Sequence, residues 1–207
     1  MAGSVVVLNG MPRSGKTSVA RALQEATDRV WISLGVDHHI RTLPAWLSPG
    51  AGLRPFAVDH AGSDENRARL LAIEAQVPGL FRAMYASAAA HAREGFDVVM
   101  DVGHHGAYSR ELDVWPDCVR QLHGLRALAV GIECPLEVIW RRREATWDQV
   151  RGQVDEGVLA AVEGGQELIH VDRDYDLTVD TSVMSPHECA TKILAALDSV
   201  VTAPRDE

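Results

Sequence analysis

Gly10-Met11-Pro12-Arg13-Ser14-Gly15-Lys16-Thr17 fits the phosphate-binding spacing GxxxxGK[ST] at every fixed position, and it directly follows the apolar run Val5-Val6-Val7-Leu8. Glycines let the chain turn tightly and aim main-chain N–H groups at phosphate oxygens. An ammonium at Lys16 can reach the β- and γ-phosphates, and a hydroxyl at Thr17 can hold Mg²⁺. The pattern carries this meaning between a strand and a helix, and Ser18 to Ala26 supplies the helix, with Val19, Ala22, Leu23 and Ala26 on one face. The reading is a nucleoside triphosphate site for ATP or GTP with Mg²⁺, built from Gly10, Arg13, Ser14, Gly15, Lys16, Thr17 and Ser18. A glycine-rich turn before an ordinary helix is the plainer alternative.

Outward from the loop, apolar runs bounded by turn residues alternate with stretches of helical period, the pattern of a parallel sheet with helices on both faces. Strands are predicted near 4–9, 31–36, 96–101, 126–132 and 176–180. Helices are predicted near 16–27, 66–94, 108–122, 135–147, 155–169 and 185–199. Within 66–94, Leu70, Ile73, Val77, Leu80, Phe81, Met84 and Ala88 recur at three- and four-residue steps, and Pro78 marks a kink or a division into two helices. Between the second strand and that helix, Pro44 to Asp64 is rich in proline and glycine yet carries Trp46, Leu47, Leu53 and Phe56. Those side chains either cover the core or cap an acceptor pocket, since long irregular segments in compact domains often serve as lids.

With 207 residues the chain suits one domain over 1–201, with a frayed tail at 202–207. A net charge of −9 speaks against a nucleic-acid partner, because proteins that grip a polyphosphate backbone carry a basic face. Of the 20 basic residues two are lysines, Lys16 and Lys192, and one stands where a point charge on phosphate is needed. Cys118, Cys134 and Cys189 are widely spaced, which fits a reducing compartment and makes the cytoplasm the expected location. No window approaches the apolar length of a membrane span. Oligomeric state, including a homo-oligomer, is left open.

Ligands of open α/β sheets gather outside the carboxyl ends of the strands. Three endings should therefore share an edge: the phosphate loop, Asp37 after Trp31-Ile32-Ser33-Leu34-Gly35-Val36, and Asp101 after Phe96-Asp97-Val98-Val99-Met100. Asp101 is the candidate partner of Thr17 in organising Mg²⁺. Asp37 is the candidate general base that orients an acceptor hydroxyl and takes its proton, or else a helix N-cap before His38. Arg141, Arg142, Arg143 and Arg151 offer charge for a phosphoryl group in flight, but three consecutive arginines cannot all face one way on a helix, and Arg142 with Arg151 are the chosen pair. His38-His39 and His104-His105 lack zinc-ligand spacing, although the second pair lies near the acceptor. No GxSxG serine elbow is present.

Val7-Leu8-Asn9-Gly10, Leu34-Gly35-Val36-Asp37, Cys134-Pro135-Leu136-Glu137-Val138 and Tyr175-Asp176-Leu177-Thr178-Val179-Asp180-Thr181 together resemble the chloramphenicol phosphotransferase family. The resemblance implies a P-loop kinase fold: a central parallel five-stranded sheet flanked by helices, with a helical lid. It also implies transfer of the γ-phosphoryl group of ATP to a hydroxyl of an antibiotic, for self-resistance, with Asp37 matching the family's proposed base. The sequence departs from the family's compact arginine lid at Thr146-Trp147-Asp148-Gln149-Val150-Arg151. The expected acceptor is a small hydroxyl-bearing antibiotic, chloramphenicol-like or bearing a nucleoside or sugar. Alternatives are a metabolic kinase of the shikimate or gluconate type, whose anionic substrates call for a basic pocket, and a nucleotide-dependent switch.

Overall fold

The computed structural model describes residues 2–44, 49–51, 54–55, 63–104 and 114–200. Its centre is β1 (Ser4–Asn9), whose residues are all buried. Side chains alternate across a strand, so Val5 and Val7 face one side while Val6 and Leu8 face the other, and each side has its own core. A strand buried on both faces reads as an unbroken apolar run, which is why Val5 to Leu8 shows no polar interruption.

Five parallel strands follow the order β2-β5-β1-β6-β7, comprising β2 (Trp31–Gly35), β5 (Asp97–Val102), β6 (Arg126–Glu133) and β7 (Leu177–Asp180). β1 pairs with β5 on one side and β6 on the other, and the chain leaves it toward β2 before returning. That reversal of winding opens a crevice at the carboxyl end of β1. Each predicted strand lies within two residues of the observed one.

Below the sheet, α1 (Lys16–Glu25) and α8 (Pro186–Ser199) bring Val19, Leu23, Cys189 and Ile193 against Val6, Leu8, Val99 and Ile132. Ser185 and Glu188 form a reciprocal capping box that starts α8. Across the sheet, α4 (Val77–Arg93) and α5 (Trp115–Arg120) pack Met84, Tyr85, Ala88, Trp115 and Cys118 on Val5, Val7, Val98 and Met100. Leu23 is fully buried whereas Leu71 is 47% exposed. Leu23→Ala is therefore expected to lower the unfolding free energy by about 3 kcal/mol in urea denaturation, and Leu71→Ala by less than about 0.5 kcal/mol.

Three predicted elements differ. The stretch 66–94 is two helices, α3 (Asp64–Glu74) and α4, and Pro78 occupies the first turn of α4, where its missing N–H would be unpaired in any case. The helix predicted from 108 is observed as Trp115–Arg120, with 108–113 outside the described residues. Where an extended strand end was predicted, Val36–Ile40 forms a short helix, α2. The Pro44–Asp64 segment contains a two-stranded hairpin, β3 (Pro49–Ala51) with β4 (Arg54–Pro55). Trp46, Leu47, Leu53 and Phe56 lie outside the described residues. Finally, α6 (Leu136–Trp147) and α7 (Glu156–Leu168) pack Ile139, Trp140 and Val162 around Met11 of the phosphate loop.

Candidate active site

Leaving β1, the chain turns at Gly10, where a Cβ would sit 2.7 Å from the Ile132 carbonyl oxygen. Gly15, with φ of 102°, begins α1 in a conformation that side chains rarely adopt. Arg13 lies in the same left-handed region at φ 70°. Between them the Ser14 amide donates to the Met11 carbonyl at 3.0 Å, closing the turn.

Lys16 folds back over this loop. Its Nζ donates to the carbonyl oxygens of Gly10 and Met11, each at 2.8 Å, and lies 3.6 Å from Asp101 Oδ1. The residue is 7% exposed. Burial pushes the ammonium pKa down, and the carboxylates of Asp101 and Asp37 pull it partly back. Thr17 Oγ1 donates to Asp101 Oδ2 at 2.7 Å. One hydroxyl, one carboxylate and one ammonium thus meet at the carboxyl ends of β1 and β5. Among the described residues no three His, Cys, Asp or Glu side chains converge as a metal cage. A lone carboxylate beside a hydroxyl is nevertheless a fitting donor set for Mg²⁺, a hard cation that takes few protein oxygens and completes its shell with phosphate and water.

Asp37 stands in the first turn of α2 and lines the same cavity. The cap position belongs to Gly35 instead, so the N-cap alternative for Asp37 is set aside. A Cβ on Gly35 would lie 2.4 Å from the Asp101 carbonyl oxygen. β2 and β5 approach closely where the two aspartates emerge. Gly35→Ala should force the strands apart, destabilising the fold by about 1–3 kcal/mol in chemical denaturation. It should also reduce phosphoryl transfer more than nucleotide binding.

The predicted arginines separate. Arg142 lines the cavity, but its guanidinium donates to the Thr181 carbonyl at 2.7 Å, Thr181 Oγ1 at 3.1 Å and the Arg13 carbonyl at 3.3 Å. It clamps the phosphate loop to the segment after β7. Arg151 is the correction: it does not line the cavity, and it pairs with Glu137 at 2.6 Å and with Glu163. Two carboxylates on α6 and α7 hold its charge, a pairing made by the fold and invisible in sequence. Ser18 lines the cavity, whereas Ser14 is buried beneath the loop and its carbonyl accepts from Thr181 Oγ1.

The role of Asn9 was not anticipated. Asn9 is fully buried, and its amide donates to the His104 carbonyl at 3.0 Å, the Ile169 carbonyl at 3.2 Å and Tyr175 Oη at 2.7 Å. Its Oδ1 accepts from the His104 amide at 2.6 Å. One side chain thereby ties β1 to the loop after β5 and to the end of α7. His104 is held in the cavity wall, its Nε2 3.1 Å from Tyr85 Oη and its ring 4.8 Å from that of Phe81. Val5 to Asn9 hinted only at a strand, because nothing local reveals which carbonyls a buried amide will meet.

The cavity has a volume of about 1330 Å³. That exceeds the roughly 300–1,000 Å³ of a pocket for one small ligand, so a nucleotide and an acceptor can share it. Its lining includes Ser18, Arg21, Thr181, Met184 and Pro186 from the phosphate-loop helix and the segment after β7, and Leu34, Val36, Ile40, Arg41, Phe81 and Val114 as well as Asp37 and His104.

Residues 3–198 match the family model described as chloramphenicol phosphotransferase-like protein. A Mycobacterium tuberculosis protein with the provisional name O-phosphotransferase is 26% identical over 194 residues, covering 92% of this chain and 80% of that protein. Among solved structures, the APS kinase of Mycobacterium tuberculosis in complex with AMPPNP and APS is similar at a TM-score of 0.56 and 22% identity, covering 96% of this chain and 99% of that one. The tunicamycin resistance protein of Deinococcus radiodurans is similar at a TM-score of 0.58 and 17% identity, covering 93% and 94%. These likenesses show a shared kinase fold. Among the described residues no helix is long and apolar enough to cross a membrane.

Proposed function

This chain belongs to the chloramphenicol phosphotransferase-like family, a nucleotide-dependent phosphotransferase by that membership, and we propose that it moves the γ-phosphoryl group of ATP or GTP to a hydroxyl of a small anionic metabolite. In this reading the loop amides and Lys16 hold the triphosphate, and Thr17 with Asp101 would hold Mg²⁺, which when bound supplies charge neutralisation at the phosphates. Asp37 orients the acceptor hydroxyl and takes its proton as the oxygen attacks the γ-phosphorus, whose bond to the β,γ-bridging oxygen breaks and releases ADP or GDP. Lys16 meets the negative charge that builds on the transferring oxygens. Arg142 keeps the loop in shape from behind.

The observation that carries the acceptor class is the pair Asp37, in the first turn of α2, and Arg41, the residue that caps its C-terminal end with helical backbone. Residues four apart on a helix share a face, and both line the cavity. Neither forms an ion pair or side-chain hydrogen bond among the described residues. A carboxylate for the hydroxyl beside a guanidinium for an anionic group suits a phosphorylated, sulfated or carboxylated acceptor. The similar kinase solved with APS has an acceptor of that chemistry. A second reading, an antibiotic acceptor with resistance as the purpose, is supported by the apolar lining of Leu34, Ile40, Phe81 and Val114 and by the tunicamycin resistance neighbour.

Incubation with ATP or GTP and a panel of hydroxyl-bearing metabolites and antibiotics, read by mass spectrometry, decides between them. A product 80 Da heavier should form from an anionic metabolite. Phosphorylation confined to uncharged antibiotics would establish the second reading, and nucleotide hydrolysis with no acceptor product would favour a switch.

A further inference from the structure

Trp147, the last residue of α6, is 46% exposed, yet its ring is shared by two cations. The Arg13 guanidinium carbon lies 3.8 Å from the indole centroid and that of Arg143 lies 4.9 Å from it. Arg143 also stands 5.5 Å from the Trp140 ring. Arg13, Arg143 and Trp147 all line the cavity above the phosphate loop.

Two like charges gathered at one ring repel unless something negative joins them. Burial and the neighbouring Arg13 both push the Arg143 pKa down. No carboxylate of the described residues pairs with either guanidinium, and the one polar partner of Arg143 is the neutral Gln149 Oε1 at 2.6 Å. Nε of Arg13 and Nε of Arg143 are buried without hydrogen-bond partners among the described residues. The contrast with Arg151 is informative, because its donors are already committed to Glu137 and Glu163. A carboxylate brace competes with phosphate for the same N–H groups, whereas an aromatic face holds the guanidinium plane and leaves its edge donors for an anion.

We propose that Trp147 is a positioning residue for the triphosphate: its indole gathers Arg13 from the loop and Arg143 from α6 and presents their donors to the β- and γ-phosphate oxygens. This rests on the reading of the cavity as a nucleotide site. AMP enters the same cavity without those phosphates and so gains nothing from the two arginines.

Equilibrium titration with Mg²⁺–AMPPNP and with AMP tests it. Trp147→Leu is expected to weaken AMPPNP about tenfold, between the scales of an exposed and a desolvated cation–π contact, while AMP binding stays within about twofold. Trp147→Phe keeps a π face and should restore most of the affinity. Arg13→Gly suits the left-handed backbone at that position, leaves α6 untouched and should match Trp147→Leu on AMPPNP. Unchanged AMPPNP affinity in Trp147→Leu, an equal loss for AMP, or failure of Trp147→Phe to restore binding would overturn the assignment. A wild-type protein that does not bind AMPPNP would overturn the nucleotide reading itself, a different outcome from wild-type binding with an indifferent Trp147.

Discussion

Lys16→Ala is expected to lower kcat/KM for phosphoryl transfer by about a thousandfold, the scale seen when a preorganised electrostatic contact to a charged transition state is removed. Among the described residues no second lysine stands at the loop. Lys192 donates to the Thr178 carbonyl in β7, and Arg142 is spent on Thr181 and the Arg13 carbonyl. The substitution also removes a buried charge together with its burial penalty, so the fold should survive. Circular dichroism and thermal unfolding close to wild type, with turnover abolished, is the expected combination. Turnover within tenfold of wild type would mean that the phosphates lie elsewhere.

Asp37→Asn is expected to lower kcat by about a hundredfold or more while the nucleotide KM stays within about threefold. The amide has nearly the shape of the carboxylate but cannot accept a proton, so the loss falls on chemistry and not on binding. Asp37 is exposed and makes no side-chain hydrogen bond among the described residues, so little stability is at stake. Its field also raises the pKa of Lys16. A parallel fall in nucleotide affinity would point to that coupling with the lysine and away from a base. Steady-state kinetics with the acceptor found by mass spectrometry, at varied nucleotide and varied acceptor, separates the two.

Local rules made the scaffold readable. A short, β-branched apolar run such as Val5 to Leu8, stopped by a glycine turn, reads as a strand buried on both faces, and the glycine spacing from Gly10 to Gly15 states which strand feeds the phosphate loop. Parallel topology then places Thr17 and Asp101 together without further information, and their side chains meet at 2.7 Å. What escaped the sequence depends on distant partners. The fate of Arg151 was decided by Glu137 and Glu163, a helix away on either side. Asn9 looked like a strand residue and is a buried junction of three segments. The five residues of α2 are too few to display a helical period, so the face shared by Asp37 and the C-capping Arg41 was hidden. Trp147 belonged to a stretch that departs from the family's lid, and its meeting with Arg13 joins residues far apart in the chain.

The most direct test is a crystal structure with Mg²⁺ and AMPPNP. The triphosphate should lie along the main-chain amides of residues 10–17 with Lys16 Nζ on its terminal oxygens. The metal should enter between Thr17 Oγ1 and Asp101, lengthening the contact that now joins them at 2.7 Å. A triphosphate bound away from this loop, or a metal on other residues while that contact stays closed, would contradict the account.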